Sequence, residues 1–385
     1  MRVLVTGASG FVGSHVVRTL LERHYTVFGL TRGKRTIPEG ATALIGDVED
    51  VATLLNAIRT SNCHIVINCA GVYAWWLPDP SQFEVNATGV HNLLDALAET
   101  PAVALVQVST VLAYGRCCAP KETFNESTPV GPHSSQYAAS KHRGDLLAQQ
   151  AFDAGHLRGC TLFLACCIGA DPKLVDSDRD VMRILDLVQG AVPATIVSDV
   201  IFTYVHVRDA AEAIVRATER VSGRGGSGSS GSGSGSGSSG GSSGAHRRRT
   251  IAMDGERWLI GDQQLSTKEF YALISEISGQ PAPAYEIPAW LARISARGLT
   301  IWSNWVTRRP PTAPVDLVST AVGGTLCFSA DRSKRELGME YTPIRTAFAE
   351  AIDYVTDVTM HTGAKGIADA IAAADERGPL VSAQE

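Results

Sequence analysis

The chain has 385 residues, of which 44% are apolar, and its formal net charge is −5. This length is enough to bury the cores of one large domain and one smaller domain. The acidic balance provides no basic field for phosphate backbones, which argues against nucleic acid as a partner and favours a small-molecule substrate.

Cysteine usage and the start of the chain bear on the compartment. The eight cysteines show no CxxC spacing, so reduced thiols are expected and a structural metal site is not. They are Cys63, Cys69, Cys117, Cys118, Cys160, Cys166, Cys167 and Cys327. The sequence opens on the apolar run Val3 to Val5, without a basic leader followed by a long hydrophobic stretch. These features predict a cytoplasmic protein with no transmembrane segment.

The first half of the chain alternates β-branched runs with helical stretches. Strands are predicted at Arg2–Thr6, Thr26–Leu30, Ala43–Ile45, Ile65–Cys69, Ala104–Ser109 and Thr161–Ala165. Helices are predicted at Phe11–Arg23, Val51–Arg59, Gly89–Glu99 and Tyr137–Phe152. This alternation is typical of βαβ units. It predicts an α/β fold in which a doubly wound parallel sheet of the Rossmann type is joined to a smaller C-terminal substrate-binding domain.

The second half contains a low-complexity segment and further helical stretches. Nearly pure Ser and Gly from Ser222 to Gly244 predict a disordered insertion, since such a segment cannot bury enough apolar area to order itself. Helical or apolar stretches follow at Ser266–Ser278, Trp290–Trp305 and Arg345–Val355, and the tail after Met360 is expected to dock loosely. The predicted division assigns 1–165 and 198–220 to the cofactor domain, 166–197 and 255–358 to the substrate domain, 222–244 to the insertion and 359–385 to the tail.

A glycine-rich loop follows the first strand and opens the first helix. It reads Thr6-Gly7-Ala8-Ser9-Gly10-Phe11-Val12-Gly13. Glycines there permit a tight turn and let the backbone approach a pyrophosphate, while the helix N–H groups face the anion. The context between a strand and a helix favours cofactor binding over a plain turn, and the predicted contacts are Gly7, Ser9, Gly10, Phe11, Val12 and Gly13.

The end of the second strand bears on the choice between NAD and NADP. A NAD site usually offers an acid to the ribose 2′-hydroxyl, whereas this chain reads Thr31-Arg32-Gly33-Lys34-Arg35. Arg32 would pair with a 2′-phosphate, so NADP (NADPH) is favoured over NAD; a solvated basic turn is the alternative. Further predicted cofactor contacts are Asp47 and Val48, at the adenine, and Cys69, Ala70 and Gly71, beneath the cofactor.

A tyrosine and a lysine four residues apart are the predicted chemical centre. Tyr137 and Lys141 share one face of a helix, so the phenol and the ammonium can point to one reacting group. The nearby cation is expected to lower the tyrosine pKa, which makes the phenol a proton donor and acceptor. The strand ending at Ser109-Thr110 supplies a hydroxyl for a substrate oxygen.

These motifs together resemble the extended short-chain dehydrogenase/reductase superfamily. The resemblance rests on Thr6 to Gly13, Asn86 to Gly89, Ser109 to Gly115, Tyr137 to Lys141 and Tyr204 to Asp209. It extends to about Val355, apart from the Ser/Gly segment. The stretches Gly71 to Pro80 and Phe328 to Gly338 look most like its dihydroflavonol-reductase-like branch.

The resemblance implies a role for each motif residue. Tyr137 would be the general acid/base, Lys141 would bind the nicotinamide ribose and tune the tyrosine, and both would contact the cofactor. Thr110, preferred over Ser109, would orient the carbonyl. Asn86 would support the helix or a proton path, and a simple helix N-cap is the alternative for it.

Two departures and two aromatic stretches concern the substrate. The sequence Ala165-Cys166-Cys167-Ile168 precedes Gly169 where many relatives have Asn-Pro, and buried packing is favoured over cysteine catalysis there. Phe202 occupies the slot where sugar-nucleotide epimerases have an arginine. With Trp75 and Trp76, it is a predicted wall of an apolar substrate pocket. The segment Trp290–Trp305 is interpreted as an apolar lid, with membrane-surface binding as the alternative.

The predicted function is therefore NADPH-dependent reduction of an aldehyde or ketone, with Tyr137 as the proton donor. The alternatives are an NAD(P)-dependent sugar-nucleotide epimerase and a non-catalytic NADP-binding protein. The partner is a small-molecule carbonyl compound, no metal is predicted, and a homodimer is compatible with the sequence.

Overall fold

The protein is described by a computed structural model that covers residues 1–33, 35–115, 123–172, 184–192, 194–196, 200–223, 255–311, 313–323 and 326–359. Four sequence-based predictions fall largely or wholly outside the described residues. They concern the Ser/Gly insertion beyond its first two residues, the tail beyond 359, Lys34, and the pair Cys117 and Cys118.

Twelve strands are found in the described residues. They are β1 (Arg2–Thr6), β2 (Thr26–Thr31), β3 (Thr42–Ile45), β4 (Ile65–Asn68), β5 (Ala104–Thr110), β6 (Gly159–Leu164), β7 (Cys166–Ile168), β8 (Ala194–Ile196), β9 (Ile201–His206), β10 (Glu256–Ile260), β11 (Gln263–Ser266) and β12 (Tyr285–Ile287). Seven of them form one sheet in the order β10-β6-β5-β4-β1-β2-β3, and every neighbouring pair is parallel. The predicted doubly wound α/β fold is confirmed.

The helices within the described residues cover both faces of this sheet and build the second unit. They are α1 (Phe11–Glu22), α2 (Val51–Ser61), α3 (Val85–Ala98), α4 (Gln136–Asp153), α5 (Ile184–Val188), α6 (Val207–Val221), α7 (Thr267–Ser278), α8 (Ala289–Trp302), α9 (Val315–Gly323), α10 (Asp331–Leu337) and α11 (344–359). Single turns of other helix types span Pro80–Glu84, Val111–Tyr114 and Ser303–Thr307.

The central strands are apolar on both faces because helices pack on each side of the sheet. In β1, Val3 and Val5 belong to the core beneath α1 and α6, while Leu4 belongs to the core beneath α2, α3 and α4. The alternation follows from the period of two along a strand. A strand buried on both faces therefore shows as a continuous hydrophobic run in the sequence.

The strand order reverses beside β1, and this reversal positions the site. The chain moves outward through β2 and β3 on one side of β1 and through β4, β5 and β6 on the other. A crevice opens where neighbouring connections leave in opposite directions, at the carboxyl ends of β1 and β4.

A second unit contains two small sheets, ordered β11-β9-β7 and β12-β8. Its core packs Ile168, Tyr204, Phe270 and Phe348, so α7 and α11 close over the three-stranded sheet. None of the described helices is long and apolar enough to cross a membrane.

Two predicted domain boundaries need correction. β10 lies in the large sheet beside β6, with Trp258 opposite Leu162, although the sequence predicts that 255–358 belongs to the substrate domain. Trp258 is fully buried there, and this burial favours pairing with the large sheet. The segment 198–220 is predicted to return to the cofactor domain as a whole. In the structure only its helix, α6, packs on the large core, whereas its strand, β9, pairs with β7 and β11 in the second unit.

Candidate active site

The glycine loop has the close approach that its sequence predicts. Gly7 has a φ of +65°, and a Cβ placed on it would lie 2.8 Å from the Ala70 nitrogen. A Cβ on Gly13 would lie 2.1 Å from the Gly7 carbonyl oxygen, so α1 packs directly on the loop. Gly10 is the N-cap of α1 and no side chain caps the helix. The first N–H groups of α1 therefore remain available to an anion, which fits a pyrophosphate.

A cleft of about 910 Å³ opens above this loop. Its lining includes most of the predicted cofactor contacts: Gly7, Ser9, Gly10, Arg32, Asp47, Val48, Cys69, Ala70 and Gly71. Phe11, Val12 and Gly13 are not part of the lining, because they already belong to α1, and Gly13 acts through helix packing instead. Tyr137 and Lys141 are not part of the lining either. The Tyr137 ring does contact the ring of Tyr73, and Tyr73 is a lining residue.

Where the cleft passes the ends of β2 and β3, a cation and an acid face each other. The Arg32 guanidinium lies 4.0 Å from the Asp47 carboxylate, and the arginine side chain is largely exposed. Asp47 is held by Thr53, whose hydroxyl accepts from the Asp47 N–H at 3.2 Å and donates to its carbonyl at 2.9 Å. Arg32 is therefore free to turn toward a phosphate, although Asp47 offsets part of its charge.

Helix α4 brings the tyrosine and the lysine together. Ser135 caps it by accepting from the Ala138 N–H at 3.1 Å, which places Tyr137 in the first turn. Both Tyr137 and Lys141 are buried, and the Lys141 ammonium donates to the Val108 carbonyl at 2.9 Å. The Tyr73 ring packs against Tyr137 with centroids 4.7 Å apart. The shared helical face predicted from the spacing is present.

The predicted effect of Lys141 on the phenol is wrong. Burial, followed by the negative charge of Asp145, raises the pKa of Tyr137, and a hydrogen bond from Thr110 opposes this shift. Burial also lowers the pKa of Lys141, which Asp145 and Cys69 partly restore. The ammonium donates to the Val108 carbonyl, and the net shift of the Tyr137 pKa is upward.

The two hydroxyls at the end of β5 point to different partners. Ser109 donates to the buried Asp145 carboxylate, whereas Thr110 bonds to Tyr137 and accepts from the Leu112 N–H at 3.3 Å. Successive residues of a strand face opposite sides, which explains the difference. The geometry favours Thr110 over Ser109 as the hydroxyl beside the reacting group.

Asn86 is a bridge and not a helix cap. It is the second residue of α3, whose N-cap is Glu84. Its buried amide accepts from the Val72 N–H at 2.8 Å, donates to the Val72 carbonyl at 3.0 Å and donates to the Ser140 hydroxyl at 2.9 Å. The N-cap alternative is therefore wrong, and Asn86 fixes the loop beneath the cleft against α4.

Sequence reasoning missed a buried carboxylate in this site. Asp145 lies one further turn along the face of Tyr137 and Lys141, and burial raises its pKa to about 6 although Lys141 opposes the shift. Hydrogen bonds link it across the sheet. The Gln107 amide donates to Asp145 at 3.5 Å, and the Gln107 side-chain oxygen accepts from the Asn68 amide at 2.9 Å. The spacing of four from Lys141 was the signal that could have identified it.

The predicted substrate walls are only partly brought together. Trp76 lines the cleft, and its indole N–H donates to the Asn304 side chain at 2.8 Å. Trp75 instead packs against the large core. Phe202 lies in β9 opposite Leu265. It packs against the core of the large sheet and the core of the second unit, and it is not among the residues that line the cleft. Tyr73, which the sequence did not single out, lines the cleft instead.

The thiols near the site are not activated. Burial raises the pKa of Cys166 to about 12 and also raises the pKa of Cys167 well above the usual range. Both thiols therefore stay protonated, which favours the packing interpretation over cysteine catalysis. No group of three or more potential metal ligands occurs among the described residues.

The parallel sheet, the glycine-loop cleft and the Tyr137–Lys141 face define a member of the extended short-chain dehydrogenase/reductase superfamily. Residues 3–227 match the profile of the NAD dependent epimerase/dehydratase family, which is more than half of the chain, and the chain belongs to this family.

Individual relatives differ in their chemistry. The chain is 24% identical over 364 residues to a provisionally named dihydroflavonol 4-reductase of Synechocystis sp., covering 91% of this chain and 93% of the relative. It is 24% identical over 351 residues to a 4-hydroxy-2-methyl-3-oxo-4-farnesyl-3,4-dihydroquinoline-1-oxide ketoreductase of Stigmatella aurantiaca, covering 88% and 91%. The fold is similar to that of UDP-glucose 4-epimerase of Thermus thermophilus in complex with NAD, with a TM-score of 0.64, 22% identity and coverage of 92% and 99%.

Proposed function

We propose that the protein is an NADPH-dependent reductase of an aldehyde or ketone. The observation that carries this proposal is the pairing of the Thr110 and Tyr137 hydroxyls beside Tyr73, which lines the glycine-loop cleft. Two hydroxyls held together in this way can bind one carbonyl oxygen, and one of them can give it a proton.

The residues divide the work of binding and proton transfer. The α1 N-terminus and the glycine loop would hold the pyrophosphate, and Lys141 would contact the ribose. A bound NADPH supplies the hydride. Tyr137 protonates the developing alkoxide while Thr110 donates a hydrogen bond to the same oxygen. The raised pKa of Tyr137 keeps the phenol protonated at neutral pH, as a proton donor requires.

The preference for NADP rests on the end of β2. The cleft is lined there by Arg32 and Arg35, and the nearest acid, Asp47, comes from the loop after β3. A 2′-phosphate would meet the exposed guanidinium of Arg32.

The substrate side of the cleft favours an apolar carbonyl compound. Tyr73, Trp76, Leu77 and Pro78 line it. A ketoreductase is among the relatives that match nearly the whole chain. We retain the cytoplasm as the compartment, supported by the six described cysteines, all of which are free thiols.

A sugar-nucleotide epimerase is the second candidate, because Arg308 lines the same cleft and could pair with a substrate diphosphate. Phe202 occupies the slot where epimerases have an arginine, and its apolar ring cannot pair with a diphosphate. A non-catalytic role is opposed by the complete set of Thr110, Tyr137 and Lys141.

One experiment separates these candidates. Turnover is measured with NADPH and NADH across a panel of apolar aldehydes, ketones and sugar nucleotides, and UDP binding is measured by calorimetry. If the protein is a reductase, NADPH-dependent loss of a carbonyl compound is expected. The Kd for UDP should then be millimolar or weaker, which corresponds to a binding free energy no stronger than about −4 kcal/mol. A micromolar Kd for UDP would replace the reductase with the epimerase.

A further inference from the structure

Helix α8 turns an apolar face toward solvent. Its buried side is formed by Ala292 and Ala296. On the opposite side, Trp290, Ile294 and Ile301 are 63%, 61% and 61% exposed. Their spacing of four and seven residues puts them on one helical face. In most surface helices of water-soluble proteins the face that meets solvent is polar. In α8 the solvent-facing side is apolar instead.

The exposed surface continues into the turn that follows α8. Trp302, Trp305 and Val306 are 57%, 81% and 56% exposed. With Trp290, Leu291, Ile294 and Ile301 they form what we call the α8 patch. Single exposed hydrophobic residues are normal, but a contiguous group of this size marks a binding surface.

Arginines surround this patch without acidic partners. The segment from Ile287 to Val315 contains Arg293, Arg297, Arg308 and Arg309 and no Asp or Glu. Among the described residues none of these four arginines forms an ion pair. The local charge is therefore strongly positive in a chain whose net charge is −5.

We propose that the α8 patch docks the protein onto an anionic lipid surface. Tryptophan and aliphatic side chains can enter the boundary between headgroups and acyl chains, while arginine heads extend to the phosphates. Anionic headgroups complement the unpaired cations. A second copy of this chain does not complement these cations, because a two-fold contact through the same patch would bring arginines against arginines.

Only the end of this segment, which the sequence suggests as a lid, reaches the cleft. Trp290, Ile294 and Trp305 are exposed to solvent and are not among the residues that line the cleft. The following turn does reach the cleft, since Asn304 bonds to Trp76 and Arg308 is part of the lining. Docking through the α8 patch would thus place the cleft near the lipid surface, and the docking itself does not depend on which reaction the cleft performs.

The test is co-sedimentation of the full chain with phosphatidylcholine vesicles, with and without phosphatidylserine. We expect binding to the anionic vesicles and at least about tenfold weaker binding to the neutral ones. Trp290→Ala/Ile294→Ala/Trp305→Ala should weaken binding to anionic vesicles at least about tenfold, whereas Leu146→Ala, an exposed apolar residue of α4, should not.

The charge contribution has its own pair of variants. Arg293→Gln/Arg297→Gln should weaken binding to anionic vesicles, and Arg59→Gln/Arg335→Gln, which removes the same charge elsewhere, should have little effect. No binding to anionic vesicles, or equal binding by all variants, would overturn the proposal. Concentration-dependent dimerisation that the triple variant abolishes, seen by sedimentation velocity, would assign the patch to a second copy instead. Circular dichroism verifies that each variant is folded.

Discussion

The buried carboxylate Asp145 gives the sharpest test of the site. Burial raises its folded pKa to about 6, compared with 3.8 for an ordinary aspartate. Between these values the folded protein keeps a proton that the unfolded chain releases. The free energy of unfolding contributed by Asp145 therefore falls as pH rises from about 4 to about 6 and is constant above that window.

The size of the effect follows from the shift of the pKa. A pKa difference of about two units, at about 1.4 kcal/mol for each unit, corresponds to roughly 3 kcal/mol in the free energy of unfolding. Asp145→Asn removes the titration and leaves an amide oxygen that can still accept from Ser109. The stability of the wild type relative to Asp145→Asn should therefore decrease by about 2 to 3 kcal/mol between pH 4 and pH 7.

The assay is urea unfolding at several pH values in this range, followed by circular dichroism. Asp153→Asn, at the exposed end of α4, is the matched control, and its free energy of unfolding should change with pH as that of the wild type does. If the free energy of unfolding of Asp145→Asn also changes with pH as that of the wild type does, Asp145 does not titrate in this window and the reasoning from burial is refuted.

The same variant should change the reaction. The charge of Asp145 contributes to the raised pKa of Tyr137 and also raises the pKa of Lys141, so its removal lowers both. The alkaline limb of the pH profile of kcat/KM should therefore move to lower pH in Asp145→Asn. An unchanged profile would show that Asp145 stabilises the fold without tuning the reacting groups.

Three further predictions concern the remaining site residues. Tyr137→Phe should reduce kcat by about 10²- to 10⁴-fold while the Kd for NADPH changes little, because only the positioned proton donor is lost; near-normal turnover would contradict the assignment. NADPH should bind at least about tenfold more tightly than NADH, equivalent to about 1.4 kcal/mol, and Arg32→Asp should reverse this order in fluorescence titrations; equal affinities in the parent protein would remove the basis for NADP. Asn86→Ala should lower the free energy of unfolding by roughly 1 to 3 kcal/mol, since it leaves both backbone groups of Val72 unpaired. The exposed Asn56→Ala should stay within about 0.5 kcal/mol of the wild type, and an equal loss in both variants would argue against the bridge.

The sequence was most informative where a feature depends on neighbours along the chain. The bounds of β1 agree with the prediction, α1 ends one residue earlier than predicted, and α4 is one residue longer at each end. The agreement is close because hydrophobic periodicity and helix caps are local signals. The glycine loop and the shared face of Tyr137 and Lys141 are likewise set by spacing within one loop and one helix.

Tertiary structure decided the features that depend on long-range contacts. Asn86 bonds to Ser140, 54 residues further along the chain, and strand pairing places Phe202 against the two cores. Neither role could be obtained from local spacing. The sign of the pKa shift at Tyr137 also depended on burial and on the charge of Asp145. Desolvation is a property of the packed site, and a sequence alone does not specify which atoms surround a charge.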